Sequence, residues 1–339
     1  MGRAVREPNG SVRLGFPGIA ATIAFTGTSL AWQMWASNDE NYFDVSVDGE
    51  PFRKVKAAAG DQRLVLAEGL PDDEHVARIV RRTESWEGVS RIDGVLLERG
   101  AALRDPPPLP QRRLMFIGDS ITAGACVERL PPEFDPTHGA HNANRSYGME
   151  LGRRLDAQAH LIAYGGRGLV RDYQGWLADQ TPTGPMIFER SMPDEADSRW
   201  DHSAYDPHGI VIAFGTNDFA VGIPDEQQWT RAYSAFISRI REVHAGAWIV
   251  LAGSPMFSPR ILNGDFARRA AMEHYLDEVV TLRQEAGDYR VEKLMHRHQP
   301  GTLKDSHPIW PQHLLMADDL EPVLRARLLV PSPGTPGEG

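Results

Sequence analysis

The chain has 339 residues, 41% apolar and 24% charged, a globular balance long enough for roughly two domains. A net charge of −10 lacks the basic footprint that nucleic-acid binding requires, and no uncharged apolar stretch reaches the length of a membrane span. Cys126 is the only cysteine, which excludes an intrachain disulfide, and it is read as a small packing residue.

The first residues, Met1-Gly2-Arg3-Ala4-Val5-Arg6, contain no apolar run of signal-peptide length. The expectation is a cytoplasmic protein, or a secreted one if a leader has been removed.

Residues 11–100 have the texture of strands. Ala21-Thr22-Ile23-Ala24-Phe25-Thr26 and Phe43-Asp44-Val45-Ser46-Val47-Asp48 alternate apolar with small or polar residues, the period of a half-buried strand. Asp48-Gly49 is a hairpin-turn pair. Arg63 to Leu66, His75 to Val80 and Ile92 to Leu97 follow at short intervals, each after turn residues. Short strands at this spacing, with no helical pattern between them, predict an antiparallel β-sandwich of jelly-roll type over residues 1–108. Trp32, Trp35 and Trp86 are expected to pack in its core or against the next domain. The sandwich closes on Asp105-Pro106-Pro107-Pro108-Leu109-Pro110, whose prolines continue neither a helix nor a central strand and make a stiff connector.

From Arg112 the period changes. Leu114 to Ile117, Ile210 to Phe214 and Trp248 to Ala252 are short apolar runs that read as strands buried on both faces. Between them, Ser146 to Leu155, the run Trp229-Tyr233-Phe236-Ile237-Ile240, and Ala271 to Gln284 carry apolar residues at helical spacing. Strands alternating with helices predict an α/β domain over 109–330, a parallel sheet between two helical layers. Pro331 to Gly339 is expected to be a disordered tail.

Four segments of this second half carry chemistry. An apolar strand runs into Gly118-Asp119-Ser120, which presents a serine at the carboxyl end of a strand. On its own, the same string reads equally well as a helix N-cap. Tyr164-Gly165-Gly166-Arg167-Gly168 lets backbone N–H groups approach a ligand, although a plain turn has the same composition. Phe214-Gly215-Thr216-Asn217-Asp218 follows another buried strand and offers an amide to an oxyanion, or a cap to the next helix. Asp305-Ser306-His307 places a carboxylate two residues before a histidine, the spacing that lets one orient the other. His296 and His298 lack a third metal ligand and are read as surface residues.

The four segments occur in the order Ser, Gly, Asn, Asp-x-His. In this they resemble the SGNH (GDSL-like) hydrolase superfamily, block by block. The α/β-hydrolase elbow Gly-x-Ser-x-Gly is absent at Ser120. The resemblance extends into the first half: Phe25 to Leu30 and Asn41 to Gly49 are similar to the sandwich that precedes the catalytic domain in carbohydrate esterase family 2. Trp200-Asp201 and the ending His307-Pro308 with Gln312-His313 resemble that family too.

The resemblance implies a serine esterase that removes acetyl groups from plant polysaccharides such as xylan and glucomannan. It implies Ser120 as nucleophile, His307 as base, Asp305 as the acid of a full triad, and Ser120, Gly166 and Asn217 as the oxyanion hole. No metal or organic cofactor is expected. Trp310 and Arg167 are further expected substrate contacts, Trp310 as a stacking platform for a sugar ring or else as a packing tryptophan. The expected partner is an acetylated oligo- or polysaccharide, with neither nucleic acid nor membrane, and the oligomeric state stays open. Alternatives on the same residues are an esterase or acyltransferase with another acyl substrate, and a carbohydrate-binding protein with vestigial hydrolysis.

Overall fold

The computed structural model describes residues 1–129, 138–261, 264–302 and 305–328. The tail expected over 331–339 lies outside them.

Ten strands build the first half: β1 (Ala4–Arg6), β2 (Val12–Leu14), β3 (Ala20–Thr26), β4 (Leu30–Ala36), β5 (Asn41–Val47), β6 (Arg53–Ala57), β7 (Gly60–Ala67), β8 (Glu74–Arg81), β9 (Ser90–Leu97) and β10 (Leu103–Arg104). They form two antiparallel sheets, ordered β1-β2-β9-β4-β7 and β10-β3-β8-β5-β6. Inward residues of both sheets, among them Phe25, Leu30, Trp32, Met34, Phe43, Leu66 and Ile79, fill the space between them. The Asp48-Gly49 turn joins β5 to β6 with both residues at positive φ, 54° and 82°, as a tight hairpin turn requires.

The alternation of β5 predicts one solvent face, but both faces are buried. Phe43 and Val45 enter the sandwich core. Asp44, on the other face, accepts hydrogen bonds from Arg82, Asn142 and Asn144. The second half of the chain covers the face that would otherwise meet water.

That second half is a parallel sheet of β11 (Arg112–Gly118), β12 (Ala157–Ala163), β13 (Gly209–Ala213), β14 (Trp248–Gly253) and β15 (Val291–Met295), in the order β12-β11-β13-β14-β15. The helices are α1 (Ser120–Ala123), α2 (Tyr147–Arg154), α3 (Gly184–Phe188), α4 (Glu226–Val243), α5 (Asp265–Glu285) and α6 (Trp310–Leu328). Alternation along each strand sorts the layers. Ile117, Ile212 and Leu251 pack with α4 and α5, whereas Phe116, Val211 and Val250 pack with α2 and α6. No helix among the described residues is long and apolar enough to cross a membrane.

Two features of this architecture position the site. The strand order reverses at β11, with β12 on one side and β13 on the other, and the crevice outside the carboxyl ends of such neighbours is where open α/β sheets bind ligands. The two halves are also clamped together. Buried Arg82 at the end of the sandwich pairs with Asp44 at 2.6 Å and with Glu128, while Asn142 donates to both carboxylates at 2.9 Å.

Candidate active site

β11 ends at Gly118, where a Cβ would stand 2.2 Å from Thr122 Oγ1; a side chain there would displace the turn that follows. Asp119 then caps the short α1 by accepting from Ile121 N–H at 3.0 Å. Ser120 is the first helical residue, so its N–H has no partner within the helix. Gly124, at φ 75°, stops α1 after one turn.

Ser120 Oγ lies 2.9 Å from His307 Nε2. On the far side of the ring, Nδ1 lies 2.8 Å from Asp305 Oδ1, which also accepts the backbone N–H of His307 at 2.9 Å. The two-residue spacing lets one carboxylate oxygen serve both the ring and its backbone. The other oxygen accepts from the Arg129 guanidinium. Burial pushes the Asp305 carboxyl upward, but its hydrogen bonds to His307 outweigh that and hold it well below the usual carboxylate range. Asp305 is therefore charged throughout the neutral range.

Asn217 follows β13 and is buried. Its amide donates to Arg167 O at 3.0 Å and to Asp119 Oδ2 at 3.1 Å, tying the loops after β11, β12 and β13 together. Burial pushes Asp119 up to about 6, against the hydrogen bond from Ile121. The next residue, Asp218, is fully buried and accepts from Leu169, Val170 and Arg171 N–H, which fixes the loop after β12. Gly166 in that loop has φ 75°, in the left-handed region. Among the described residues, no acceptor takes the N–H of Gly166 or of Ser120.

Ser120, Gly166, Asn217, Asp305 and His307 thus gather at the carboxyl ends of three neighbouring strands and the loop before α6. The Arg167 guanidinium is engaged inside its own loop, with Thr181, with Asp172 at 3.5 Å and over the Tyr164 ring at 5.2 Å. Trp310 opens α6; it is 37% exposed, with the Arg145 guanidinium 4.5 Å from its ring centre.

Three readings change. His296, expected at the surface, is 1% exposed and lies 3.3 Å from Asp319, because α6 packs over the end of β15. Trp86, expected to be packed, is 46% exposed and meets His138 and His141 edge-on. Cys126 is buried as expected, but it is no ordinary packing residue. It holds φ 59°, unusual for a residue with a Cβ, and its thiol lies beside Asp305. Burial and that carboxylate push the thiol far up, so it stays a neutral S–H.

The donor atoms of Cys126, Asp305 and His307 lie within 4.8 Å of one another, close enough to share an ion. Both ring nitrogens of His307 are already engaged, Nε2 with Ser120 and Nδ1 with Asp305, so the donor set fits a proton-transfer site better than a metal site.

Sequence reasoning missed Arg129, Cys126 and Glu84 at this site. Glu84 lies at the end of the sandwich, yet its Oε2 accepts the Gly165 N–H in the loop after β12. No motif flags it; Arg81-Arg82-Thr83-Glu84-Ser85-Trp86-Glu87 is a polar string that reads as surface, although every residue in it but Trp86 is buried.

Residues 1–107 match a family described as carbohydrate esterase 2 N-terminal, and residues 116–314 match the GDSL-like lipase/acylhydrolase family. An acetylxylan esterase / glucomannan deacetylase of Cellvibrio japonicus (strain Ueda107) is 35% identical over 326 residues, spanning 96% of this chain and 87% of that protein. The structure of a family two carbohydrate esterase from Cellvibrio japonicus superposes with a TM-score of 0.87 at 33% identity, covering 97% of this chain and 94% of that one. A family two carbohydrate esterase from Clostridium thermocellum in complex with cellohexaose gives 0.88 at 28% identity, covering 96% and 98%.

Proposed function

The chain belongs to carbohydrate esterase family 2, a sandwich joined to a GDSL-like acylhydrolase, and we propose that it removes O-acetyl groups from xylo-, manno- or gluco-configured oligo- or polysaccharides through a covalent acetyl-enzyme on Ser120. The observation that carries the mechanism is the 2.9 Å approach of His307 Nε2 to Ser120 Oγ, with Asp305 on the opposite ring nitrogen.

In this reading Ser120 Oγ attacks the acetyl carbonyl while His307 Nε2 takes its proton. Asp305, already ionised, holds Nδ1–H and stabilises the imidazolium that forms. The N–H groups of Ser120 and Gly166 meet the oxyanion. Asn217 joins them by turning the hydrogen now given to Arg167 O toward the new charge. The sugar hydroxyl leaves with the proton from His307. A water, deprotonated by the same ring, then releases acetate and restores Ser120. Trp310 offers the part of its ring that Arg145 leaves open to the apolar face of a sugar. Arg167 acts in this scheme chiefly by holding the loop that presents Gly166.

Hydrolysis of p-nitrophenyl acetate, butyrate and octanoate by wild type and Ser120→Ala tests the reaction class. Acetate cleavage that requires Ser120 and falls with chain length supports the reading. Ser120-independent turnover, or a preference for octanoate, overturns it.

A further inference from the structure

Glu84 belongs to the sandwich side of the molecule, where it is the N-cap residue of the short turn Ser85–Glu87 that follows β8. It is 2% exposed. Its Oε2 accepts the Gly165 N–H, one residue before the proposed oxyanion donor Gly166. A Cβ placed on Gly165 would stand 3.0 Å from Glu84 Oε1 and 3.5 Å from Ser120 Cβ, so Gly165 is packed closely by both residues. Oε1 is buried as well, and the carboxyl faces the Trp86 indole and the Glu87 backbone N–H of its own turn.

A buried acid beside a second buried acid, Glu87, is costly to keep, which calls for a reason at this position. Its turn is held firmly: Glu84 N–H donates to Glu87 Oε2 at 2.6 Å, and Arg81 donates to the Glu84 carbonyl at 3.2 Å. His141 in turn contacts Glu87.

We propose that Glu84 is a positioning residue for the oxyanion loop, fixing Gly165 from the sandwich side so that the Gly166 N–H is held ready above Ser120. This rests on the esterase reading given above. It means that the first hundred residues complete the active site and do more than flank it.

The groups facing Glu84 are Glu87 and the Trp86 indole on its own turn, Asp119 from the loop after β11, and the Gly165 amide from the loop after β12. Burial, reinforced by Glu87, pushes its carboxyl up to about 8. Below that pH it accepts from Gly165 as a neutral acid. Above it, a negative charge arises next to the position where the oxyanion must form and opposes it.

The test compares Glu84→Gln, which keeps an acceptor, with Glu84→Met, which keeps the volume without one. On p-nitrophenyl acetate, Glu84→Gln is expected to hold kcat within about threefold at pH 7. Glu84→Met is expected to lose about tenfold or more in kcat with KM little changed, the scale on which an oxyanion donor is weakened. Wild-type kcat is expected to fall above about pH 8 and that of Glu84→Gln to stay level. Equal kcat in Gln and Met, or matching alkaline profiles of wild type and Gln, overturns the proposal.

Amide hydrogen exchange over residues 164–168 reads the loop without turnover. Faster exchange in Met than in Gln supports the proposal, and equal exchange overturns it. If wild type shows no Ser120-dependent turnover, the esterase reading fails, and the exchange comparison still decides the role of Glu84. If Glu84→Met does not fold, Glu84→Ala takes its place in both comparisons.

Discussion

The amide of Asn217 donates to the carboxylate of Asp119 across 3.1 Å, joining the loop that carries Ser120 to the loop after β13. Its second hydrogen lies on Arg167 O, in the loop after β12. One side chain therefore sets the spacing of three loops and carries the hydrogen that the oxyanion would recruit.

Asn217→Ala should accordingly lower kcat by ~10²–10³, the usual scale for one oxyanion donor, with a much smaller change in KM. Steady-state kinetics on p-nitrophenyl acetate read this directly. A loss below threefold would remove Asn217 from the reaction.

Asp305→Asn keeps the shape of the side chain and removes its charge. The Arg129 guanidinium then faces a neutral amide, and the His307 tautomer is no longer fixed. The expected loss in kcat is roughly 10²–10⁴, smaller than that of Ser120→Ala. Equal losses in the two variants would mean that the histidine has no other support.

Arg82 bears on stability. Its guanidinium lies between Asp44 and Glu128 with the Arg82 and Asp44 side chains 2% and 4% exposed. Arg82→Ala leaves a buried carboxylate without its partner, at a cost of about 3–5 kcal/mol. The denaturant midpoint should drop accordingly. Arg82→Ala combined with Asp44→Ala should recover part of the loss, and strictly additive losses would argue that the pair is not coupled.

Glu84 gives the fold a pH dependence of known sign. Its folded pKa of about 8 lies above the ordinary value of 4.5, so between these limits the native state holds a proton that the unfolded chain has lost. Stability from this group is complete below the lower limit and is lost as pH rises toward the upper one. In Glu84→Gln the decline between pH 5 and 8 should be shallower than in wild type. Parallel curves would mean that Glu84 is ionised already.

Much of the site was legible because its parts sit in short strings with fixed local geometry. Asp305 and His307 are two residues apart, and one carboxylate oxygen serves both bonds. Ser120 and Asn217 each follow an apolar strand that needs no partner to be recognised. What escaped depends on contacts distant in sequence. β4 (Leu30–Ala36) has Leu30, Ala31 and Trp32 all buried, so no alternation marks it out, and it is held by pairing with both β7 and β9. α6 begins Trp310-Pro311 and contains Pro322, which hides a nineteen-residue helix from pattern reading. Glu84 reaches Gly165 across 81 positions, and only the docking of the sandwich brings them together.

The central claim is tested most directly by acetate release from acetylated xylo- and glucomanno-oligosaccharides, with wild type and Ser120→Ala compared side by side. The account predicts rapid release by wild type, virtually none by Ser120→Ala, and transient acetylation of Ser120 detectable by intact mass on rapid quenching. Release that survives the loss of Ser120, or wild type that cleaves activated esters yet leaves acetylated sugars untouched, would contradict it.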